Sequence, residues 1–200
     1  VDRPLFREWG ALGLVGAARP EQFGGLGAPS VPAGLAIEAL AYGDINVSYV
    51  PLLASLNGQI IARHAAPDLA GEWIPRIVAG EALFCIGLTE PRGGSDAANL
   101  QLSARRDGDC YMLNGEKTSI SMADQADAAV IFARTGAADA GARGVSAFLV
   151  PMDLPGVSRT RFNDLGSHAI GRGSIFFDDV RIPVANRLAE EGMGFVQVMQ

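Results

Sequence analysis

The chain has 200 residues, of which 48% are hydrophobic and 19% are charged, and its formal net charge is −6. Such a chain is long enough for one or two domains with a hydrophobic core, and its composition is not typical of disorder. The negative charge argues against a nucleic-acid partner, because a basic surface is missing. Cys85 and Cys110 lack the C-x-x-C spacing of a zinc ribbon, and two cysteines do not make a disulfide scaffold.

The two ends of the sequence lead us to expect a piece of a longer protein. The chain begins with Val1 rather than methionine, and it stops inside a helical pattern that starts at Gly192. A chain that ends naturally at Gln200 stays open as an alternative. The apolar runs are far shorter than the roughly 18 residues of a membrane span, and no signal peptide is visible. We therefore expect no membrane span and a cytoplasmic location.

Apolar residues recur at helical spacing up to about residue 82. A short amphipathic helix at 8–14 is predicted to run into a turn-rich segment at 19–27. A second helix is expected after Pro32. Its apolar face consists of Leu35, Ala39 and Tyr42.

Two further helices are predicted before the pattern changes. The third carries a stripe at spacings of three and four residues, and Pro51 is expected in its first turn. The stripe consists of Tyr49, Leu53, Leu56, Ile60 and His64. The fourth helix is predicted over 68–78, with Leu69, Trp73 and Ile77 on one face.

After residue 82 the signals are those of strands. Asp107 and Gly108 form a tight hairpin turn, and the continuous apolar runs at 128–133 and 145–150 are typical of strands buried on both faces. The predicted strands cover 82–88, 100–104, 110–113, 128–133, 145–150 and 174–182. We therefore predict an α+β fold. It has an N-terminal all-α domain (1–82), an antiparallel β-barrel-like middle domain (83–185) and the start of a C-terminal helix bundle (186–200).

Several common chemistries lack their motifs. The sequence has no G-x-S-x-G elbow, no Walker A loop, no H-E-x-x-H and no G-x-G-x-x-G that opens a helix after a strand. His64 and His168 are far apart, so we predict no metal site. His64 is expected to be a stripe residue that interacts with the dipole at a helix C-terminus. Cys85 is expected to be a small core residue.

One loop carries chemical information. It follows the first predicted strand and reads G-L-T-E-P-R-G-G-S-D over 87–96. Gly93 and Gly94 let the backbone approach a ligand closely. The loop amides and the hydroxyls of Thr89 and Ser95 can donate to an anionic ligand such as a diphosphate, or to the edge of a flavin ring. From the spacing alone, a ligand loop and an ordinary polar turn both remain open.

Six segments, taken in order, resemble the acyl-CoA dehydrogenase family over nearly the whole chain. They include the P-x-x-aromatic-G-G turn, the T-E-P and G-S-D of the loop, the N-G-E-K hairpin and the F-D-D-V-R-I-P strand. The segments are 9–27, 73–81, 89–96, 114–117, 177–183 and 191–195.

The resemblance implies an FAD enzyme that acts on a CoA thioester. In that family a carboxylate removes the substrate's α-proton while the β-hydride passes to flavin N5. Thr89 would bond the pyrimidine side of the flavin, and Ser95 would serve both the FAD diphosphate and the pantetheine of the substrate. The implied FAD contacts are Ile86, Leu88, Thr89, Gly94, Ser95, Ser119, Ile120 and Ser121.

Two departures from the family pattern concern the site. Ser119 stands where a tryptophan packs on the flavin, and Ser121 replaces a threonine near N5 but keeps the hydroxyl. His168 stands where the family commonly has arginine, and it is either a surface residue or a ligand contact. Arg172 could supply the charge from nearby. The departures favour a specialised acyl group that is bulky, branched or cyclic.

The resemblance also implies that the catalytic base lies outside this sequence. The family's base is usually a glutamate of the C-terminal domain, which only begins here, so we name no catalytic base and expect this chain alone to be incomplete and inactive. Glu90 is expected to belong to the loop turn. Three further acids are expected at scaffold positions: Asp96, Asp127 and Asp178. The resemblance implies an electron-transfer flavoprotein as acceptor and a homo-oligomer, a dimer or a tetramer. A flavin oxidase or monooxygenase on the same fold, and a non-catalytic module that binds a CoA thioester or a partner, remain alternatives.

Overall fold

The computed structural model describes residues 1–199, in which helices come first and an eight-stranded sheet follows. This confirms the predicted α+β class. The four helices of the first part are α1 (Arg3–Ala11), α2 (Ser30–Gly43), α3 (Ile45–His64) and α4 (Pro67–Val78). None of the helices within 1–199 is long and apolar enough to cross a membrane.

Helix α1 begins earlier than the amphipathic pattern indicates. The Asp2 carboxylate caps the helix by accepting a hydrogen bond from the N–H of Leu5 at 3.1 Å, and Pro4 lies in the first turn. An N-cap acid followed by an early proline is a helix start signal. The prediction missed it because the apolar residues of this helix become frequent only later.

The predicted core face of α2 is wrong. The helix starts at Ser30, so that Pro32 lies inside its first turn. Ala33 is buried, whereas Leu35 is 58% exposed and Tyr42 is 97% exposed. Periodicity identified an apolar stripe, but it could not tell which side of the helix faces the rest of the chain.

Helix α3 differs from its prediction at Pro51. This proline lies in the second turn, not in the first, so the carbonyl of Val47 loses its usual i+4 donor. Leu53 and Ile60 of the predicted stripe are buried, but Leu56 is 46% exposed. Helix α4 agrees with its prediction.

The sheet is formed by strands in the order β6-β7-β3-β2-β4-β5-β8, and β1 pairs with β4. Most neighbours are antiparallel, as predicted. However, β1 and β4 are parallel from Phe84 opposite Ala128 onwards, and β2 meets β4 in one parallel pair. The strands are β1 (Phe84–Gly87), β2 (Ser103–Asp107), β3 (Cys110–Ile120), β4 (Ala128–Arg134), β5 (Val145–Pro151), β6 (Val157–Arg159), β7 (Gly173–Pro183) and β8 (Arg187–Leu188).

Three short elements, β6, β8 and α5, remain to be compared with the prediction. The strands β6 and β8 were not predicted, because three and two residues carry no readable alternation. The helical pattern near the end of the chain forms α5 (Gly194–Val198). Gln200, the last residue of the predicted final helix, lies outside the described residues.

Strand β4 is buried on both faces, as its continuous apolar run predicts. Ala129 and Ile131 belong to one core cluster, while Val130 and Phe132 belong to the other. Successive side chains of a strand point to opposite faces, so one strand contributes to both layers. The second cluster includes residues of α3 and α4, and it joins the helices to the sheet.

Helix α1 is held to the rest of the chain at two points. The Arg3 guanidinium donates to the Asp127 carboxylate at 2.6 Å, and the same carboxylate accepts from the N–H of Leu83 at 2.8 Å. At the other point, Gly80 follows α4 with a φ of +69°, and a Cβ there would lie 2.0 Å from the carbonyl oxygen of Phe6. Asp127 is therefore a scaffold residue, and Gly80 has no room for a side chain.

We expect Gly80→Ala to destabilise the protein by about 3 kcal/mol, through left-handed strain and the clash with Phe6. Chemical denaturation measures the loss. Gly71→Ala in α4 is the control, because a Cβ at Gly71 meets nothing within 4 Å and alanine favours a helix by about 0.5–1 kcal/mol. Equal effects of the two substitutions would contradict the packing of α1 on this turn.

Candidate functional site

The polar loop singled out in the sequence starts where β1 ends. Ile86 is half-buried on the strand, and the chain makes a tight turn around Pro91 shortly after the strand ends. Glu90 and Gly93 close this turn with two backbone hydrogen bonds of 3.3 and 3.0 Å. A Cβ at Gly93 would meet nothing within 4 Å, so the turn presents its backbone to open space.

A buried ion pair lies directly beneath this turn. The Lys117 side chain is fully buried, and its ammonium donates to Glu90 Oε1 at 2.7 Å and to the carbonyl of Leu88 at 3.1 Å. The Glu90 carboxylate also accepts from the backbone N–H groups of Gln101 and Leu102, at 2.6 and 2.9 Å. Buried charges persist when they are paired and hydrogen-bonded in this way.

The prediction that Glu90 belongs to the loop is correct but incomplete, because it missed the pair. Lys117 is the only lysine of the chain, and it occupies a buried position of the long strand β3. The sequence signal for this pair was a single lysine at a strand position where the other buried residues are apolar. Because a buried ammonium needs a counter-charge, such a lysine indicates a carboxylate partner.

Both groups of the pair have lowered pKa values, for different reasons. Burial lowers the pKa of Lys117 to about 8, although Glu90 opposes this change. Burial by itself would raise the pKa of Glu90. The hydrogen bond and charge of Lys117 and the two backbone donors outweigh it and lower that pKa. The pair is therefore ionised near neutral pH.

A backbone hydrogen bond joins the two segments that are predicted to bind one ligand. The N–H of Thr118 donates to the carbonyl of Thr89 at 3.0 Å. Between Lys117 and Ile120 the pairing with β7 shifts register. At this bulge Ser119 has a φ of +58° and an exposed side chain. The exit of β1 and the bulge of β3 therefore lie side by side.

The residues predicted to contact FAD differ in how much of their side chain is exposed. Leu88 and Thr89 are half-buried, and Gly94 and Ser95 are exposed. A Cβ at Gly94 would lie 3.4 Å from the Thr89 methyl, so these two positions adjoin. The side chain of Ile120 is buried in the core, which leaves its backbone for a ligand.

The hydroxyl groups around the junction fall into two sets. Those of Thr118 and Ser174 bond each other at 2.9 Å, and that of Ser174 also donates to Glu116. The hydroxyl groups of the other set have no hydrogen-bond partner within residues 1–199, so they can form hydrogen bonds with a ligand. It consists of Thr89, Ser95, Ser119 and Ser121.

Ser121 lines a cavity of about 330 Å³ between α3 and the segment before β7. Tyr49 lies on its helical side. On the other side, Arg172 holds the Asp164 carboxylate through two hydrogen bonds of 2.9 and 2.8 Å, and this contact lowers the pKa of Asp164. The charge of Arg172 is therefore already paired, while His168 is exposed. The motif that contains Arg172 did not predict its pairing with Asp164.

No group of three metal-ligating side chains occurs within the described range 1–199. Cys85 is fully buried, and burial raises the pKa of its thiol to about 12, in agreement with a core role. His64 ends α3, and burial together with Arg63 lowers its pKa.

Comparison with known proteins decides the family. The acyl-CoA dehydrogenase N-terminal domain matches residues 1–81, and the acyl-CoA dehydrogenase middle domain matches residues 85–180. The human mitochondrial short-chain specific acyl-CoA dehydrogenase is 35% identical over 199 residues, which are 97% of this chain and 47% of that protein. The chain belongs to the acyl-CoA dehydrogenase family.

Solved structures of this family superpose closely on the chain. An acyl-CoA dehydrogenase from Geobacillus kaustophilus gives a TM-score of 0.94 at 32% identity, over 100% of this chain and 53% of that one. A glutaryl-CoA dehydrogenase from Mycobacterium smegmatis in complex with FADH2 gives 0.90 at 33% identity, over 100% and 50%. The chain therefore spans about half the length of the acyl-CoA dehydrogenases that it matches.

We expect Glu90→Gln to cost about 3–5 kcal/mol of stability, because it leaves the Lys117 ammonium buried without a counter-charge. The double variant with Lys117→Met should lose clearly less than the sum of the two single losses. Denaturant unfolding of the four proteins of this cycle gives the coupling.

The matched control for the buried pair is the exposed ion pair of Asp107 and Arg181, whose atoms are 3.2 Å apart. Exposed pairs contribute little, so Asp107→Asn should change stability far less than Glu90→Gln. If both substitutions have the same effect, the buried pair does not hold the loop.

Proposed function

We propose that the protein takes part in the FAD-dependent α,β-dehydrogenation of an acyl-CoA thioester. The observation that carries the proposal is the junction of the β1 exit with the β3 bulge, where Thr118 bonds Thr89 and free hydroxyls surround the contact. The junction lies within the part of the chain that matches the family's middle domain. The related structure with FADH2 supports the choice of cofactor.

The residues at the junction fit a flavin. The free hydroxyls of Thr89 and Ser121 and the backbone beside Ser119 and Ile120 can bond the polar edge of the ring, and the apolar Ile86 can pack on its body. The open turn with Gly94 and Ser95 suits a diphosphate, and Ser95 can also bond the pantetheine of the substrate. Leu88 adds a further apolar contact. When bound, FAD supplies the acceptor for the hydride.

The chain's own contribution is binding and positioning. Lys117 fixes the carbonyl of Leu88, and Glu90 fixes the backbone after the loop, so both sides of the proposed ligand site rest on one buried pair. We assign no catalytic base within 1–199. Glu90 is bound by three donors, and Asp127 is paired with Arg3.

The exposed Ser119 affects two properties of the proposed site: the size of the acyl group that fits, and the molecule that accepts the electrons from the flavin. Without a tryptophan at this bulge, the site has more room, which supports a bulky, branched or cyclic acyl group. The same opening favours access of oxygen, so a flavin oxidase or monooxygenase is the second candidate. For the dehydrogenase we propose an electron-transfer flavoprotein as acceptor.

The remaining assignments are part of the same proposal. We propose a homo-oligomer, either a dimer or a tetramer, and a cytoplasmic location. We also keep the division into domains at residues 82 and 185 as our prediction. Light scattering after size-exclusion chromatography gives the oligomer count.

Adding FAD to the purified protein tests the function. We expect a protein-bound yellow flavin. Because we assign no base within 1–199, loss of its visible absorbance when an acyl-CoA is added without oxygen requires a base from outside these residues. Peroxide or an oxygenated product in air would favour the second candidate. Absence of flavin binding would count against both as activities of these 200 residues and would favour either an incomplete piece of the enzyme or a module that binds thioesters or partners without catalysis.

We expect Ser121→Ala to weaken FAD binding or to slow flavin reduction by up to about tenfold, the effect of one hydrogen bond. Flavin titration and stopped-flow absorbance measure the two quantities. Ser158→Ala on the exposed part of β6 is the control. Unchanged affinity and unchanged reduction rate in Ser121→Ala would exclude this role.

A further inference from the structure

The stretch at 91–96 has little packing of its own. It contains Gly94 and Ser95, for which we propose contact with the FAD diphosphate, and all of its residues are exposed. The buried ion pair fixes Glu90 just before this stretch and, through Glu90, two backbone N–H groups at 101–102 after it. The backbone between these two points needs a further contact to have a fixed shape.

Arg134, the last residue of β4, supplies this contact. Its Nη2 donates to the carbonyl of Ala98 at 2.7 Å, and its Nε donates to the carbonyl of Leu100 at 2.8 Å. Its Nη1 donates to the carbonyls of Ala137 and Gly141, both at 3.3 Å. One guanidinium therefore ties the segment before β2 to the segment between β4 and β5.

The charge of Arg134 is met by backbone carbonyls. None of the ion pairs within residues 1–199 includes this half-buried arginine. A Cβ at Gly144 would lie 2.5 Å from Arg134 Nη1, so the guanidinium is closely packed against this glycine. A guanidinium presents its donors in a rigid planar fork, which sets the direction of the carbonyls that it binds. Arg134 therefore orients peptide groups as well as contributing a charge.

The parallel pairing of β1 and β4 explains why Arg134 reaches this segment. Gly87, the last residue of β1, lies opposite Ile131 of β4. Because the two strands run in the same direction, both end at the same edge of the sheet. Arg134 also lies opposite Ser103, where β2 begins. The chain from the end of β1 to the start of β2 thus begins and ends beside the last turns of β4.

Two hydrogen bonds connect the residues that Arg134 holds to the exposed stretch. The two carbonyls that it binds before β2 flank Asn99 in the chain. The Asn99 side-chain amide donates to the Asp96 carboxylate at 2.7 Å, and the Asn99 N–H donates to the Asp96 carbonyl at 3.0 Å. Asp96 directly follows Ser95. Arg134 thus fixes the end of the stretch that adjoins Ser95.

We propose that Arg134 is a positioning residue for the FAD diphosphate. It orders the backbone at 94–96 before the cofactor binds, through the carbonyls on either side of Asn99. The inference rests on the proposed function, because it needs FAD at this junction. A loop that is ordered in advance loses less conformational entropy when its ligand binds, so the ligand binds more tightly.

The test measures FAD affinity by titration of the purified protein and its variants. We expect Arg134→Met to raise the Kd for FAD by about tenfold, because the loop must then be ordered during binding. Arg134→Lys should recover part of the loss, because lysine keeps the charge but not the fork. The visible spectrum of the bound flavin should stay unchanged, since the contacts proposed for its ring lie at Thr89 and the β3 bulge.

The matched control is Arg159→Met. Arg159 also belongs to none of the ion pairs within residues 1–199, and it donates to two carbonyls, those of Ala123 and Ala126, at 3.4 and 2.9 Å. These carbonyls lie outside the loop segment. Arg159→Met should therefore leave the Kd for FAD unchanged.

Amide hydrogen exchange of the flavin-free protein separates positioning from general stability. We expect Arg134→Met to speed exchange at 95–100 by a larger factor than exchange at 128–133 in β4, where opening needs the whole sheet. An equal factor in both regions would overturn the inference, because Arg134 would then only stabilise the fold.

The affinities separate the inference from the function. An unchanged Kd for FAD in folded Arg134→Met means that the inference is wrong while the function stands. If Arg134→Met does not fold, Arg134→Lys decides, because its Kd either rises above that of the unsubstituted protein or does not. If the unsubstituted protein binds no FAD, the proposed function fails for these 200 residues and the inference falls with it.

Discussion

The buried ion pair of Lys117 and Glu90 is the contact on which the organisation of the candidate site depends. It joins the exit of β1, the middle of β3 and the backbone that leads into β2, three segments that are distant in sequence. Charges this deep stabilise a fold only when every partner is present, so the geometry around them is narrowly defined. The loop above gains a fixed shape from this interaction, although its own residues are mostly exposed.

The layered core explains why the site lies at this place. Strand β4 is buried on both faces, and each face belongs to one core cluster. Helix residues occur in both clusters, for example Leu53 in one and Ile74 in the other. Strand β1 pairs with it in parallel, and its end therefore lies at the boundary between the two layers. The cavity that Ser121 lines is bordered by Tyr49 of α3 on one side and by Ser121, which follows β3, on the other. A ligand bound there contacts both the helices and the sheet.

The sequence predicted the α+β class, the principal strands and most of the helical regions, because long apolar periodicities and continuous apolar runs reflect burial directly. The failures have particular causes. Tyr42 lies on an apolar stripe of α2, but periodicity does not tell which side is covered. The energetic cost of proline inside a helix predicts Pro51 in the first turn of α3, but the packing of α3 against its neighbours offsets that cost. The parallel pairing of β1 with β4 depends on contacts between residues far apart in sequence.

The candidate site could be predicted only through its segments. The loop at 87–96 was recognised from glycines and hydroxyls, and the resemblance supplied its partner segment at 119–121. The ion pair beneath them and the pairing of Arg172 with Asp164 depend on tertiary contacts. Each requires the positions of two side chains in three dimensions.

The position of Lys117 has a consequence for the chemistry of the molecule in solution. It is the only lysine, and its side chain is fully buried. Within residues 1–199, reagents that acylate side-chain amines therefore find no lysine on the folded surface, and they reach Lys117 only when the sheet opens. The extent of labelling at Lys117 over time thus reports the opening of this sheet.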